Sequence, residues 1–182
     1  MEDKIACFAY GSNNIEQVKK RVKNNSLISY KAYLPNFTRV FAGYSKKWGG
    51  SVASVEHCPK QIVKGSLIFL TNQELGYLDK FEGIKDTDPY NTDFTKNIYS
   101  RNNINVYIIR DDQIELLNAV TYIRNNDITN KGPDPGSDPN PNPNPDPGPD
   151  PCPGPSDKYI DAIYENIQQF WDISKEELYN KE

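Results

Sequence analysis

Apolar positions mark out the elements of this chain before any chemistry is considered. Ile5-Ala6-Cys7-Phe8-Ala9 is an unbroken apolar run of the kind a buried strand shows, and Ile15, Val18 and Val22 then recur at helical spacing. Residues 29–42 are rich in aromatic and β-branched side chains, broken at Pro35, and predict a strand, as do residues 52–55 and 63–70. Thr71 with Glu74 three residues on forms a capping-box pattern, and Leu75, Leu78 and Phe81 supply an apolar stripe that ends at Gly83. This predicts a short helix that delivers Glu82 at its last turn. Further strands are expected over residues 92–99, 104–110 and 116–123, with Arg101-Asn102-Asn103 and Asp111-Asp112 as turns. At the C-terminal end Ser156 is a candidate N-cap. Tyr159, Ile160, Ile163, Ile167 and Phe170 follow near helical spacing, and Ser174 to Glu177 repeat the capping-box pattern. About six strands with a few short helices fit a mixed β-sheet domain of the α+β class.

The interval from Gly132 to Pro155 interrupts this pattern. Proline there falls at nearly every second position, which removes alternate backbone donors and biases the residues between them toward extended angles. A packed helix or strand is therefore not expected, and the interval is read as a solvated, semi-rigid insertion. It divides the chain into a β-rich domain over residues 1–131, the insertion over 132–155, and helices of the same domain over 156–182.

Charge and composition narrow the function classes. A net charge of −4 argues against a nucleic-acid partner, which calls for a basic face. Lys19, Lys20, Arg21 and Lys23 are most simply the solvated side of the first helix. No apolar run approaches the roughly 20 residues of a membrane span, and the N-terminus lacks a signal-peptide pattern, so a cytoplasmic location is expected. The three cysteines, Cys7, Cys58 and Cys152, have no metal-like spacing and read as reduced thiols. His57, the sole histidine, adjoins Cys58, and neighbours on a strand point to opposite faces. That pair is poorly placed for a Cys-His dyad, and His57 reads as a surface residue in the turn before Pro59.

The chemistry concentrates in Phe8-Ala9-Tyr10-Gly11-Ser12-Asn13, where the first strand gives way to the first helix. Gly11 tolerates backbone angles closed to other residues and leaves room for a ligand against the main chain. Backbone N–H groups at such a turn can hold a carboxylate or an oxyanion. Downstream come Trp48-Gly49-Gly50-Ser51, then Val63-Lys64-Gly65-Ser66, then Leu78-Asp79-Lys80-Phe81-Glu82-Gly83, and finally Pro155-Ser156-Asp157-Lys158-Tyr159. In order and composition these pieces resemble the gamma-glutamylcyclotransferase family. The resemblance implies a cyclotransferase-like mixed β-barrel of about six strands with short flanking helices, acting without a cofactor.

The same resemblance implies that Glu82 is the catalytic acid/base. It also implies that the strand end and loop, Cys7, Phe8, Ala9, Tyr10, Gly11, Ser12 and Asn13, bind a γ-glutamyl group, and that Tyr90 and Tyr159 line the pocket. Asn14 departs from the apolar residue usual after the family's Tyr-Gly-Ser-Asn, and Asp79 reads as a solvated carboxylate. The implied reaction closes a γ-glutamyl amino acid or peptide to 5-oxoproline and releases the amine. Two alternatives stay open: a γ-glutamylamine cyclotransferase acting on γ-glutamyl-ε-lysine, and a non-catalytic binding or interaction domain on the same fold. A glutathione-specific enzyme fits less well, since that branch carries Tyr-Gly-Ser-Leu. The expected partner is a small γ-glutamyl molecule rather than nucleic acid or membrane, and monomer and homodimer both remain open.

Overall fold

A computed structural model describes residues 4–84, 98–125 and 154–178. Its elements run β1 (Ile5–Ala9), α1 (Ile15–Val22), β2 (Ser29–Ser45), β3 (Gly50–Leu70), α2 (Asn72–Phe81), β4 (Tyr99–Arg110), β5 (Gln113–Arg124) and α3 (Asp157–Ile167), followed by a 3-10 turn at Glu176–Leu178. The fold is α+β. The strand order is β1-β3-β2-β4-β5, antiparallel at each of these pairings, and the sheet closes where β1 lies parallel to β5 at Cys7 and Val120.

The described residues hold five strands where about six are expected. Part of the difference lies in β3, a single 21-residue strand that unites the stretches 52–55 and 63–70. Its register with β2 passes from Pro35↔Ile62 to Phe37↔His57, so residues 58–61 bulge out of the ladder. Pro59 sits in that bulge, where its missing N–H costs no ladder bond. Asn36 and Lys60 both take positive φ there, and the Lys60 N–H donates to Asn36 Oδ1 at 3.1 Å. Proline therefore bends the ribbon without ending it, and His57 stands exposed on a strand, not in a turn.

The expected turn at Arg101-Asn102-Asn103 is also corrected. These residues lie inside β4, paired with Tyr122, Thr121 and Val120, whose strand preference overrides the local turn signal. The turn at Asp111-Asp112 is present, with φ of 49° and 60°, the two-residue primed geometry that suits a twisted hairpin. Residues 92–97 of the expected strand 92–99, and nearly all of the proline-rich interval, lie outside the described residues.

Period-two alternation on β1 divides the core. Ala6, Phe8 and Tyr10 join Leu34, Leu67, Val106 and Ile108 in a cluster completed by Ile160, Ile163 and Ile167 of α3. Cys7 falls in a second cluster with Val18 and Val22 of α1 and Leu75 and Leu78 of α2. The two helices flanking β1 thus pack on one side of it and α3 on the other. That arrangement places the loop after β1 between α1, α2 and α3.

Candidate active site

The loop after β1 is shaped by what happens to its carbonyls. Asn166 of α3 is fully buried, and its amide nitrogen donates to the carbonyls of Ala9 at 3.3 Å and Gly11 at 3.1 Å. Its oxygen accepts from the Ser66 hydroxyl at 2.9 Å. Arg39 Nε donates to the Tyr10 carbonyl at 3.2 Å, and its Nη2 to that of Lys64 at 2.9 Å. Burial pushes the Arg39 guanidinium down to about 10. Three successive carbonyls are therefore turned into the protein. The N–H groups of Gly11, Ser12 and Asn13 make no backbone hydrogen bond among the described residues. A loop whose carbonyls are held back and whose donors are unspent can accept an anion. Asn14 then caps α1, its side chain accepting from the Gln17 N–H at 2.8 Å, which accounts for a polar residue at that position.

Glu82 arrives from the other side. Thr71 and Glu74 form the expected reciprocal capping box, and α2 ends with the Glu82 N–H donating to the carbonyls of Leu78 and Asp79. Gly83 follows with a φ of 73°. The Glu82 side chain is 13% exposed, and its Oε1 accepts from Arg21 Nη1 at 2.9 Å and from Asn13 Nδ2 at 3.0 Å. The same Arg21 nitrogen donates to Asn13 Oδ1 at 2.7 Å, and the guanidinium lies 5.1 Å from the centre of the Phe81 ring. Helix α1, helix α2 and the loop thus converge on one carboxylate and fix its orientation.

Tyr159, in the first turn of α3, closes a third side. Ser156 caps that helix as expected, and its hydroxyl donates to the Trp48 carbonyl. The Ala53 N–H donates to the Tyr159 oxygen at 2.9 Å, and Ser12 borders the same cavity. Trp48 packs on the ring at 5.0 Å between centroids. Burial, with the charge of Glu82 adding to it, pushes the Tyr159 hydroxyl up to about 12. It is a neutral donor and acceptor over the ordinary pH range.

These pieces line one cavity of about 470 Å³. Phe8, Ala9, Tyr10, Gly11, Ser12, Asn13, Glu82 and Tyr159 all border it. Cys7 does not: strand alternation turns it into the core against α1 and α2, and burial holds its thiol protonated, pushed up to about 12. Tyr90 lies outside the described residues. Gly11 borders the cavity without a positive φ, and a Cβ there would sit 3.5 Å from the Tyr159 oxygen. Its contribution is space, not unusual backbone geometry.

Two charged residues are corrected. Asp79 is 1% exposed and accepts from the Tyr122 hydroxyl at 2.8 Å, with Arg101 at 3.6 Å. It follows Leu75 by four residues, on the buried stripe of α2. Arg21 is not on the solvated side of α1, since its side chain is 14% exposed and engaged with Glu82. The sequence reading also passed over Asn166, whose signal was a polar residue within the apolar spacing of Ile160, Ile163 and Ile167.

Comparison with known proteins fits this geometry. Residues 7–141 match the family model described as gamma-glutamyl cyclotransferase, AIG2-like. No curated protein matches the sequence. A Homo sapiens protein described as uncharacterized is similar in structure, with a TM-score of 0.68 at 21% identity, covering 100% of this chain and 89% of that one. A structure described as gamma-glutamyl cyclotransferase gives 0.67 at 19% identity over 99% and 89%. YkqA from Bacillus subtilis gives 0.62 at 18% identity over 98% of this chain and 54% of its own. At these identities the structures share the fold.

Proposed function

The chain belongs to the gamma-glutamyl cyclotransferase, AIG2-like family, and we propose that it is a gamma-glutamylcyclotransferase closing γ-glutamyl amino acids or short γ-glutamyl peptides to 5-oxoproline. The observation that carries this reading is the meeting of Glu82 with the loop of unspent N–H donors in one cavity. The substrate brings its own nucleophile, the α-amine, and its own electrophile, the γ-carbonyl carbon. Folding it so that the two approach supplies much of the rate, because the ring closure is intramolecular.

At neutral pH the amine is an ammonium. Glu82 takes one proton from it, the freed nitrogen attacks the γ-carbonyl carbon, and the carbonyl oxygen becomes an oxyanion held by N–H groups of the loop. Glu82 then returns its proton to the amide nitrogen as the carbon–nitrogen bond breaks. The second proton shed by the ring nitrogen ends on the released amine. Arg21 and Asn13 both occupy Oε1, which leaves Oε2 for the substrate ammonium. Tyr159 bounds the cavity beside Ser12.

Incubation with γ-glutamyl dipeptides, γ-glutamyl-ε-lysine and glutathione, with 5-oxoproline measured by mass spectrometry, tests the reading. Release from the dipeptides supports it. Release from γ-glutamyl-ε-lysine alone reassigns the substrate, and silence across the panel leaves a binding domain on the same fold.

A further inference from the structure

Among the described residues Glu82 is the one acid bordering the cavity, against five bases: Arg21, Lys46, Lys47, Lys80 and Arg124. Arg21 is neutralised by Glu82. The other four make no ion pair with a carboxylate among the described residues. Arg124 is the most constrained of them. It is 9% exposed, and its buried Nε has no hydrogen-bond partner among the described residues. Its guanidinium lies 5.8 Å from the centre of the Tyr99 ring and against the backbone of Gly43, where a Cβ would fall 2.3 Å from Nη2. Gly43 takes a φ of 59°, so the chain both bends and clears space for the charge at that point. A guanidinium built into a wall without a counter-charge is costly unless an anion arrives to meet it. At the rim, Lys47 lies 4.6 Å from the centre of the Trp48 ring, and burial and the neighbouring Arg21 both disfavour its charged form. It too makes no ion pair with a carboxylate among the described residues.

In the proposed reaction the γ-glutamyl end is already provided for, its ammonium by Glu82 and its oxygens by the loop. The carboxylate on the departing amino acid has no partner yet. We propose that Arg124, with Lys46 and Lys47 of the β2–β3 hairpin lining the same cavity, forms a subsite for that carboxylate, which makes the preferred substrates those whose leaving amine carries a free acid. The inference rests on the cyclotransferase reading and adds to it the residue that selects the leaving group. Arg124 orients bound substrate and takes no part in proton transfer.

The test compares kcat/KM for L-γ-glutamyl-L-alanine and for its C-terminal amide in the wild-type protein, Arg124→Met and Arg124→Lys. The wild type should favour the free acid by about 30-fold, the low end for a desolvated charge pair. Arg124→Met should bring the two substrates within about threefold of each other, mainly by raising KM for the acid, while Arg124→Lys recovers part of the preference. Equal losses on acid and amide in Arg124→Met, or no preference in the wild type, overturn the subsite. If the wild type turns over neither substrate, the cyclotransferase reading is the one that fails. Calorimetry with N-acetyl-L-alanine and its amide then decides the subsite separately: acid-selective binding lost in Arg124→Met upholds it, and equal binding of the two overturns it.

Discussion

Replacing Glu82 by Gln separates chemistry from structure at the centre of the site. The amide keeps the length and shape of the side chain and still offers an oxygen to Arg21 and Asn13, so both contacts at 2.9 and 3.0 Å can persist in neutral form. What disappears is the charge. A hydrogen bond to a charged group is worth about 1.5–3 kcal/mol and a neutral one about 0.5–1.5, so two weakened bonds cost about 2–3 kcal/mol in all. At roughly 2–4 °C per kcal/mol for a chain of this size, the melting temperature should fall by about 4–12 °C. The rate should fall much further. An amide cannot take the ammonium proton, and loss of a positioned acid/base costs about 10²- to 10⁴-fold, which is about 2.7–5.4 kcal/mol of barrier. Release of 5-oxoproline at saturating γ-glutamyl dipeptide, alongside a circular-dichroism melt, measures both. A folded Glu82→Gln variant keeping more than about a tenth of the wild-type rate would refute the proton-shuttle role.

Asn166→Leu, with the same branching but greater bulk, should release the carbonyls of Ala9 and Gly11 and raise KM several-fold, with a stability loss of at least about 1–3 kcal/mol for the unsatisfied groups; unchanged KM and melting temperature would remove Asn166 from the account. Stability should fall as pH rises from about 9 to 12, because Cys7 and Tyr159, each pushed up to about 12 from 9.0 and 10.0, hold their protons more tightly when folded, and that contribution is complete below the unfolded values. Arg39, pushed down to about 10, works in the opposite sense and offsets part of the loss, so a urea midpoint that rises through this window would contradict the burial of the tyrosine and the thiol. Replacing residues 133–153 by a short Gly/Ser linker should leave the rate within about threefold, since α3 is docked by its own contacts, with the Ser51 N–H donating to the Gly154 carbonyl and Ser156 to that of Trp48. A large rate loss at an unaltered melting temperature would show that the proline-rich interval acts on the pocket.

Features within a few residues of one another were legible in the chain. Both capping boxes, the Ser156 cap, the Asp111-Asp112 turn and the placement of Glu82 at the end of α2 are each set by backbone donors and acceptors close in sequence. The strand-loop-helix order around Tyr10-Gly11-Ser12-Asn13 was legible for the same reason, and the resemblance added the partnership of that loop with Glu82. Strand continuity was less so. Pro35 and Pro59 read as breaks, because a local reading cannot know that a bulge will absorb them once β2 and β3 are paired.

By itself, the sequence determined where the helices begin, which faces are apolar, and which short segments carry chemistry. Those properties follow from spacing and local hydrogen bonding. Only the tertiary structure decided the fate of individual charges. Arg21 and Glu82 are 61 positions apart, and Asp79 and Tyr122 are 43 apart, so their pairing depends on how α1, α2 and β5 pack. A lysine- and arginine-rich turn of helix has the same composition whether it faces water or a carboxylate. Burial of apolar neighbours sets which it faces, and that is settled only when the helices dock on β1.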